Sequence, residues 1–178
     1  MGRTALIRYG AVPDVERFRV DVDEPLPRGT RVVARTRRGT EIGTVLDLFD
    51  GEPSVEIDPV LCVLRRASAE DEQNWSALRQ TCQSEFDEWV RRIDGWKLEL
   101  ELIDLEWTLD RQRQILYVLN SRGPDCTRLA IQAAACGLGT IEVQPVGSDG
   151  PVHVATSSGC GDGCGCHAAG GDARTHCG

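Results

Sequence analysis

Hydrophobic and polar residues alternate over short runs in the first part of this chain. In FRVDV, residues 18–22, apolar side chains are separated by charged ones, the period of a half-buried strand. Residues 30–49, TRVVARTRRGTEIGTVLDLF, predict a hairpin that turns at Arg38 and Gly39. Together these strands predict a small antiparallel β-barrel-like unit over residues 1–52.

The pattern changes at residue 60. Residues 60–64, VLCVL, are apolar throughout, which is typical of a strand covered on both faces. Ser68 and the carboxylate of Asp71 three residues later form a capping box, which predicts the start of a long helix. The apolar stripe of that helix advances in steps of three and four: Trp75, Leu78, Cys82, Phe86, Trp89 and Ile93.

A second hairpin follows the helix. Residues 98–109 alternate in two phases, which indicates a half-exposed strand with a bulge near Leu102. Residues 115–119, ILYVL, are again apolar throughout. The alternation predicts a solvent face for the acidic side chains: Glu99, Glu101, Asp104 and Glu106.

A second helix and a last strand complete the pattern. Pro124 at the N1 position and Gly137 bracket the helix. Residues 140–145 alternate and contain a proline, which is typical of an edge strand. The order β-α-β-β-α-β predicts a ferredoxin-like unit over residues 53–147, with 60–64 and 115–119 as its inner strands. The predicted fold class is therefore α+β, and the buried helix face is expected to contain Cys126, Leu129, Ala133 and Cys136.

Charge limits the classes of partner. The formal net charge is −8, so long-range attraction of a polyanion is weak and any nucleic-acid contact needs a local basic patch. The first hairpin offers one candidate anion-binding or RNA-binding set: Arg31, Arg35, Arg37 and Arg38. The alternative interpretation is a solvated barrel face on which these arginines pair with Glu41 and Asp47.

The last segment, residues 148–178, is rich in glycine and cysteine and poor in large apolar residues. It is therefore expected to be a flexible, disordered tail unless a metal or a partner orders it. Thiolates are the ligands that zinc and iron–sulfur clusters prefer. The candidate metal ligands are Cys160, Cys164, Cys166 and Cys177, with His167 and His176 as alternates.

The expected compartment is the cytoplasm. The N-terminus has no apolar segment of the secretory type, and no apolar run approaches the ~20 residues that span a bilayer. Membrane insertion is therefore not expected, and the thiols should stay reduced. No nucleophile–base motif, phosphate loop or Rossmann fingerprint stands out, so a non-enzymatic protein is predicted.

Four stretches, in order between residues 3 and 147, resemble a known family. They are VVARTRRGTEIGTVL, VLRRASAEDEQNW, LIDLEWTLDRQRQILYVL and SRGPDCTRLAIQAAA. The chain is similar to the YaaT/RicT family of bacterial regulators, which share the PSP-one C-terminal domain. The resemblance implies a regulatory adaptor with small helical protein partners, in a complex associated with iron–sulfur clusters. That complex tunes RNA processing by ribonuclease machinery and so affects development.

Two other functions remain open from the residues alone. One is an RNA-binding module that uses the basic N-terminal hairpin. The other is a metal-handling protein whose ordered body presents the cysteine-rich tail.

Overall fold

The computed structural model of the chain describes residues 2–51, 56–119 and 124–152. This part is mixed α+β, with two helices, a closed barrel of order β1-β2-β5-β3-β4 and a four-stranded sheet of order β6-β7-β8-β9. The elements are β1 (Arg3–Tyr9), β2 (Asp14–Val20), β3 (Arg31–Arg35), β4 (Thr40–Asp50), β5 (Cys62–Arg66), α1 (Ala69–Gly95), β6 (Glu101–Trp107), β7 (Gln114–Leu119), α2 (Asp125–Ala135), β8 (Ile141–Gly147) and β9 (Gly150–Pro151).

The N-terminal barrel forms because the alternating strands bury one face each. Ile7 of β1, Phe18 of β2 and Val32 of β3 are fully buried in its core. The predicted hairpin is confirmed: β3 and β4 pair with Arg35 opposite Thr40, and Gly39 in the turn has a positive φ of 145°. A residue without a Cβ tolerates that backbone conformation.

The fifth strand of the barrel, β5, was predicted in a different sheet, and that prediction is wrong. Residues 60–64 were expected in the inner part of a ferredoxin-like sheet, but β5 pairs with β2 and β3 instead. Leu61 and Val63 enter the barrel core, whereas Val60 and Leu64 are exposed, so the run is covered on one face. Pairing explains this placement, since without β5 the edges of β2 and β3 would leave backbone groups unbonded.

The second sheet keeps only part of the expected ferredoxin-like order. β6 and β7 form an antiparallel hairpin, and β8 lies parallel to β7 after the α2 crossover. β7 and β8 pair directly with each other, because β5, which was predicted as an inner strand of this sheet, belongs to the barrel. The inner position of β7 is confirmed, with its residues from Gln114 to Val118 all buried. The predicted bulge is confirmed between Leu102 and Asp104.

The last expected strand, β8, has a neighbour on both sides. β7 lies on one side along its whole length, and the two residues of β9 pair with Val146 and Gly147 on the other. Strand pairing therefore continues past residue 147. The predicted boundary between residues 52 and 53 lies outside the described residues, as do residues 153–178 of the predicted tail.

The two helices cover one face of this sheet. The predicted capping box is confirmed: Ser68 Oγ accepts from the Asp71 amide at 3.2 Å, and Asp71 Oδ2 accepts from the Ser68 amide at 2.8 Å. The buried apolar residues of α1 are Leu78, Cys82, Trp89 and Ile93, and the last three share one core with residues of β6 and β7. In α2, Leu129 and Ala133 are buried as expected.

The second helix differs from its prediction in its start and in the burial of two cysteines, of which Cys126 is only partly buried. Pro124 is the N-cap of α2, one position before the expected N1. Cys136 was expected on the buried face, but it follows the last helical residue and is exposed. Within the described ranges, no helix is both long enough and apolar enough to cross a lipid bilayer.

Candidate functional site at the junction of the two sheets

The barrel rests on the face of β6 and β7 that the helices leave open. The Leu109 amide donates to Thr40 O at 2.7 Å, and the Ala11 amide donates to Glu106 Oε2 at 2.9 Å. These hydrogen bonds join the barrel to the hairpin of β6 and β7 along a single contact line. Polar side chains lie on both sides of this contact line. They form a buried cluster on one side and an open cleft on the other.

The buried side, which we call the junction cluster, consists of Arg38, Glu41, Glu106 and Tyr117. Arg38 donates to Glu41 Oε1 at 2.6 Å and to the Tyr117 hydroxyl at 2.6 Å. The Tyr117 hydroxyl in turn donates to Glu106 Oε2 at 2.7 Å. Arg38 Nη2 also lies 4.0 Å from Glu106 Oε2, so one guanidinium serves two carboxylates.

Burial dominates the electrostatics of the junction cluster. It raises the pKa of Glu41 to about 7, although the neighbouring Arg38 opposes this shift. Burial and the Glu106 carboxylate raise the pKa of Tyr117 above its ordinary value. Burial alone would lower the pKa of Arg38, but Glu41, Tyr117 and Glu106 raise it overall. The arginine therefore stays charged and holds the cluster together.

The position of Glu106 is a second correction. Strand alternation predicted a solvent face for the acidic residues of β6, and Glu101 is exposed as expected. Glu106 is only 6% exposed, because the barrel covers the end of the strand on which it lies. No buried side-chain nitrogen or oxygen of the described residues lacks a hydrogen-bond partner. The side chains of the junction cluster are therefore bonded to one another and to neighbouring groups such as the Ala11 amide.

The open side, which we call the arginine cleft, has a volume of about 290 Å³. Strand register builds its barrel wall, because Arg8 of β1 and Arg31 of β3 both lie opposite Thr44 of β4. The two arginines are separated by two strand spacings, roughly 10 Å between Cα atoms. Their side chains flank the Thr44 hydroxyl on the outer surface of the barrel.

The other wall of the arginine cleft comes from α1 and β6. Trp75 and Arg79 lie one turn apart on α1 and line the cleft with Glu106. The Arg31 guanidinium lies over the Trp75 ring at 4.7 Å from the centroid and pairs with Glu72 at 3.0 Å. The cleft is therefore bounded by three arginines, an indole ring and one buried carboxylate.

The three arginines differ in how fully they are bonded. Arg79 donates to the Leu105 carbonyl at 3.1 Å and to Asp104 at 3.3 Å. Arg31 is bonded to Glu72 and Thr44. Arg8 is exposed, and no hydrogen bond or ion pair joins its side chain to another of the described residues. Arg8 therefore presents a guanidinium that is open to a ligand.

The structure separates the four arginines predicted as an anion-binding or RNA-binding set. Arg31 lines the arginine cleft, and Arg38 lies in the junction cluster with its donors occupied by Glu41 and Tyr117. Arg37 is bonded to Glu16 at 2.7 Å and to Asp58 at 2.8 Å. Arg35 is exposed at the end of β3. These side chains do not form one continuous patch.

The predicted metal ligands Cys160, Cys164, Cys166 and Cys177, with the alternates His167 and His176, lie outside the described residues. Among the residues that are described, no group of three or more His, Cys, Asp or Glu side chains is placed to hold a metal ion. The cysteines of the described residues are free thiols: Cys62, Cys82, Cys126 and Cys136. Burial raises the pKa of the Cys82 thiol to about 11, so it stays protonated at neutral pH.

Sequence reasoning missed Arg8, Arg79, Glu106 and Tyr117 as members of the site. Each one fits the pattern of an ordinary strand or helix, and residues so far apart along the chain carry no local signal of their proximity. In the arginine cleft, the guanidinium groups of Arg8 and Arg31 lie with the Trp75 ring, and guanidinium groups are donors that bind an anionic ligand. Comparison of the chain with protein-family models, with curated proteins and with solved structures finds no match.

Proposed function

We propose that this protein is a cytoplasmic, non-enzymatic regulatory adaptor that resembles the YaaT/RicT regulators and acts through protein partners in the control of RNA processing. The supporting observation is the contrast across the junction. The buried ionisable groups bond to one another, whereas the exposed Arg8 remains open to a ligand in the arginine cleft. Such an arrangement suits binding better than proton transfer, which needs an ionisable group accessible to a substrate.

The ordered body also supports the proposed kinship. β6, β7, α2 and β8 follow the order of the last four elements of a ferredoxin-like unit. The capping box of α1 falls in the stretch VLRRASAEDEQNW, which carries part of the resemblance. The barrel then supplies a second surface beside the sheet, as an adaptor with more than one partner requires.

Affinity purification of the full-length tagged chain from its native cells, followed by mass spectrometry, tests the adaptor role. Small helical proteins and ribonuclease machinery are expected to co-purify with the chain. An Arg35→Glu variant serves as a matched surface control, because Arg35 is exposed and lies outside the arginine cleft. Recovery of RNA without any such protein would contradict the proposal.

We further propose, on the sequence of the tail, that the four thiols of Cys160, Cys164, Cys166 and Cys177 hold an iron–sulfur cluster or zinc. Thiolate ligands would supply the free energy that orders a segment without an apolar core. Anaerobic purification followed by metal and sulfide analysis should give a fixed stoichiometry. Replacement of the four cysteines by serine should abolish it, and an unchanged metal content would contradict the proposal.

The second candidate function is an RNA-binding module, which the exposed Arg35 and the cleft-lining Arg31 favour. The affinity for single-stranded RNA, measured by filter binding, should then fall as the salt concentration rises and should be lower in Arg35→Ala than in the parent. RNA binding that depends neither on salt nor on Arg35 would contradict the RNA-binding candidate and leave the adaptor role.

A further inference from the structure

We propose that the arginine cleft binds a carboxylate-bearing segment of a protein partner, with Arg8 as the side chain that meets the carboxylate. This inference rests on the proposed adaptor function and names the surface through which it would act.

The donors converge from one barrel surface. Arg8 and Arg31 flank Thr44 on the two strands that pair with β4, and the side chain of Arg8 has no partner among the described residues. A guanidinium presents a planar fork of donors that matches the two oxygens of a carboxylate. Arg8 can therefore form a two-point contact without breaking a bond to another of the described residues.

The neighbouring ion pair at the rim is exchangeable. Arg31 pairs with Glu72, and the side chains retain 34% and 38% of their exposure. Exposed pairs of this kind contribute little to stability, so an incoming carboxylate can share or replace the Glu72 contact. Arg31 keeps its place during such an exchange because it also stacks on Trp75.

The size and lining of the cleft suit a side chain of a peptide. Its volume of about 290 Å³ is at the lower end of the range for sites that enclose whole small ligands, roughly 300–1,000 Å³. Ala11, Pro13 and Ile42 add apolar surface beside the Trp75 ring. An acidic side chain with its neighbouring backbone would place methylene groups on this surface and the carboxylate at Arg8.

The surrounding charge favours a single carboxylate over a nucleic acid. Glu106 lines the cleft, and Glu72 and Asp104 pair with its arginines Arg31 and Arg79. These carboxylates would repel a row of phosphates. One face of Trp75 is already covered by Arg31, which limits stacking of a base. The formal net charge of −8 also opposes the approach of a polyanion from a distance.

Fluorescence anisotropy with three labelled probes tests the inference. The probes are an alanine-rich peptide with one central glutamate, the same peptide with glutamine, and a single-stranded RNA oligonucleotide of similar length. The full-length chain should bind the glutamate peptide saturably. It should bind the glutamine peptide at least about tenfold more weakly, because the charge-assisted hydrogen bonds to Arg8 are lost.

Two variants locate the binding. Arg8→Gln should lower the affinity for the glutamate peptide at least about tenfold, whereas the matched control Arg35→Gln should leave that affinity unchanged. Both side chains are exposed, so circular dichroism should show that both variants fold like the parent. Equal affinity for the two peptides, or an effect of Arg35→Gln as large as that of Arg8→Gln, would overturn the inference. Tighter binding of RNA that depends on Arg8 would also overturn it.

Affinity purification separates this inference from the adaptor role itself. Loss of a protein partner in Arg8→Glu, with retention in Arg35→Glu, would support the arginine cleft as the docking surface. Equal recovery of partners by both variants would overturn the cleft proposal while leaving the adaptor role intact. Recovery of no partner by the unaltered chain would count against both proposals.

Discussion

The junction cluster and the arginine cleft use the same residue types on two sides of one contact line, and Glu106 lies between them. In the junction cluster, Arg38 is 11% exposed at its side chain and bonds to Glu41 and Tyr117. In the cleft, Arg8 is exposed and bonds to no other described residue. The difference shows that burial and complete bonding, and not residue type, separate a structural arginine from one available to a ligand.

The free-energy cost of burying a charge explains why Arg38 is paired with other side chains and Arg8 is not. A charge removed from water must be paired, since an unpaired buried ion is strongly destabilising. An exposed guanidinium keeps its hydration and needs no protein partner. Mutations on the two sides should therefore affect different measurements: stability for the junction cluster and binding for the cleft.

The largest expected effect is that of Arg38→Met. Removing the guanidinium leaves Glu41 and Glu106 buried close together without their cation, which should lower the free energy of unfolding by roughly 3–5 kcal/mol. Urea denaturation followed by circular dichroism measures the change. The control Arg35→Met should shift the value by less than about 0.5 kcal/mol. A similar small shift in Arg38→Met would mean that the junction cluster does not stabilise the fold.

The titration of Glu41 should appear in the pH dependence of stability. Its pKa is raised from 4.5 to about 7, so the folded state binds the proton more tightly than the unfolded state does. The resulting stability is fully present below pH 4.5 and is lost as pH rises through about 7. Between these values, the stability of the parent relative to Glu41→Gln should fall by roughly 1–3 kcal/mol. Denaturation series at several pH values measure the difference, and parallel curves would contradict the expectation.

The hydroxyl of Tyr117 should contribute a smaller amount than the arginine. Tyr117→Phe removes the donor to Glu106 and the acceptor for Arg38 without changing the packing of the ring. The expected loss is roughly 1–3 kcal/mol, because buried polar groups are left without a partner. Urea denaturation measures it, and a difference between Tyr117→Phe and the parent within experimental error would show that the hydroxyl is dispensable.

The smallest expected effect on stability is that of Arg8→Gln. Because Arg8 makes no bond to another described residue, the free energy of unfolding should change by less than about 0.5 kcal/mol. The same denaturation measurement tests it. A loss comparable to that of Arg38→Met would remove the contrast between the two sides, since it would show that Arg8 also serves the fold.

Local signals predicted several features correctly, and each for a short-range reason. The capping box at Ser68 and Asp71 depends on residues three apart, and the hairpin turn at Gly39 on adjacent ones. The bulge after Leu102 follows from a slip in alternation within one strand. These features are decided by backbone sterics and by hydrogen bonds between near neighbours, so the local sequence contains the information.

The wrong placement of β5 shows what local sequence signals do not predict. The apolar run at residues 60–64 indicated a strand correctly but not its partners, because periodicity describes the faces of a strand and not its neighbours. Closure of the barrel placed β5 between β2 and β3. The exposure of Leu64 follows from this pairing, and the burial of Glu106 follows from the contact of the barrel with β6. Neither could be derived from alternation.

By itself, the sequence determined the α+β class, the helix start at Ser68, the first hairpin and the inner position of residues 115–119. Only the tertiary structure decided the membership of β5 in the barrel, the burial of Glu106 and the convergence of Arg8, Arg31 and Arg79 on one cleft. The physical reason is distance along the chain. Side chains from separate strands and helices meet only after the sheets have paired and packed, and their joint burial then sets which charges are bonded and which stay open.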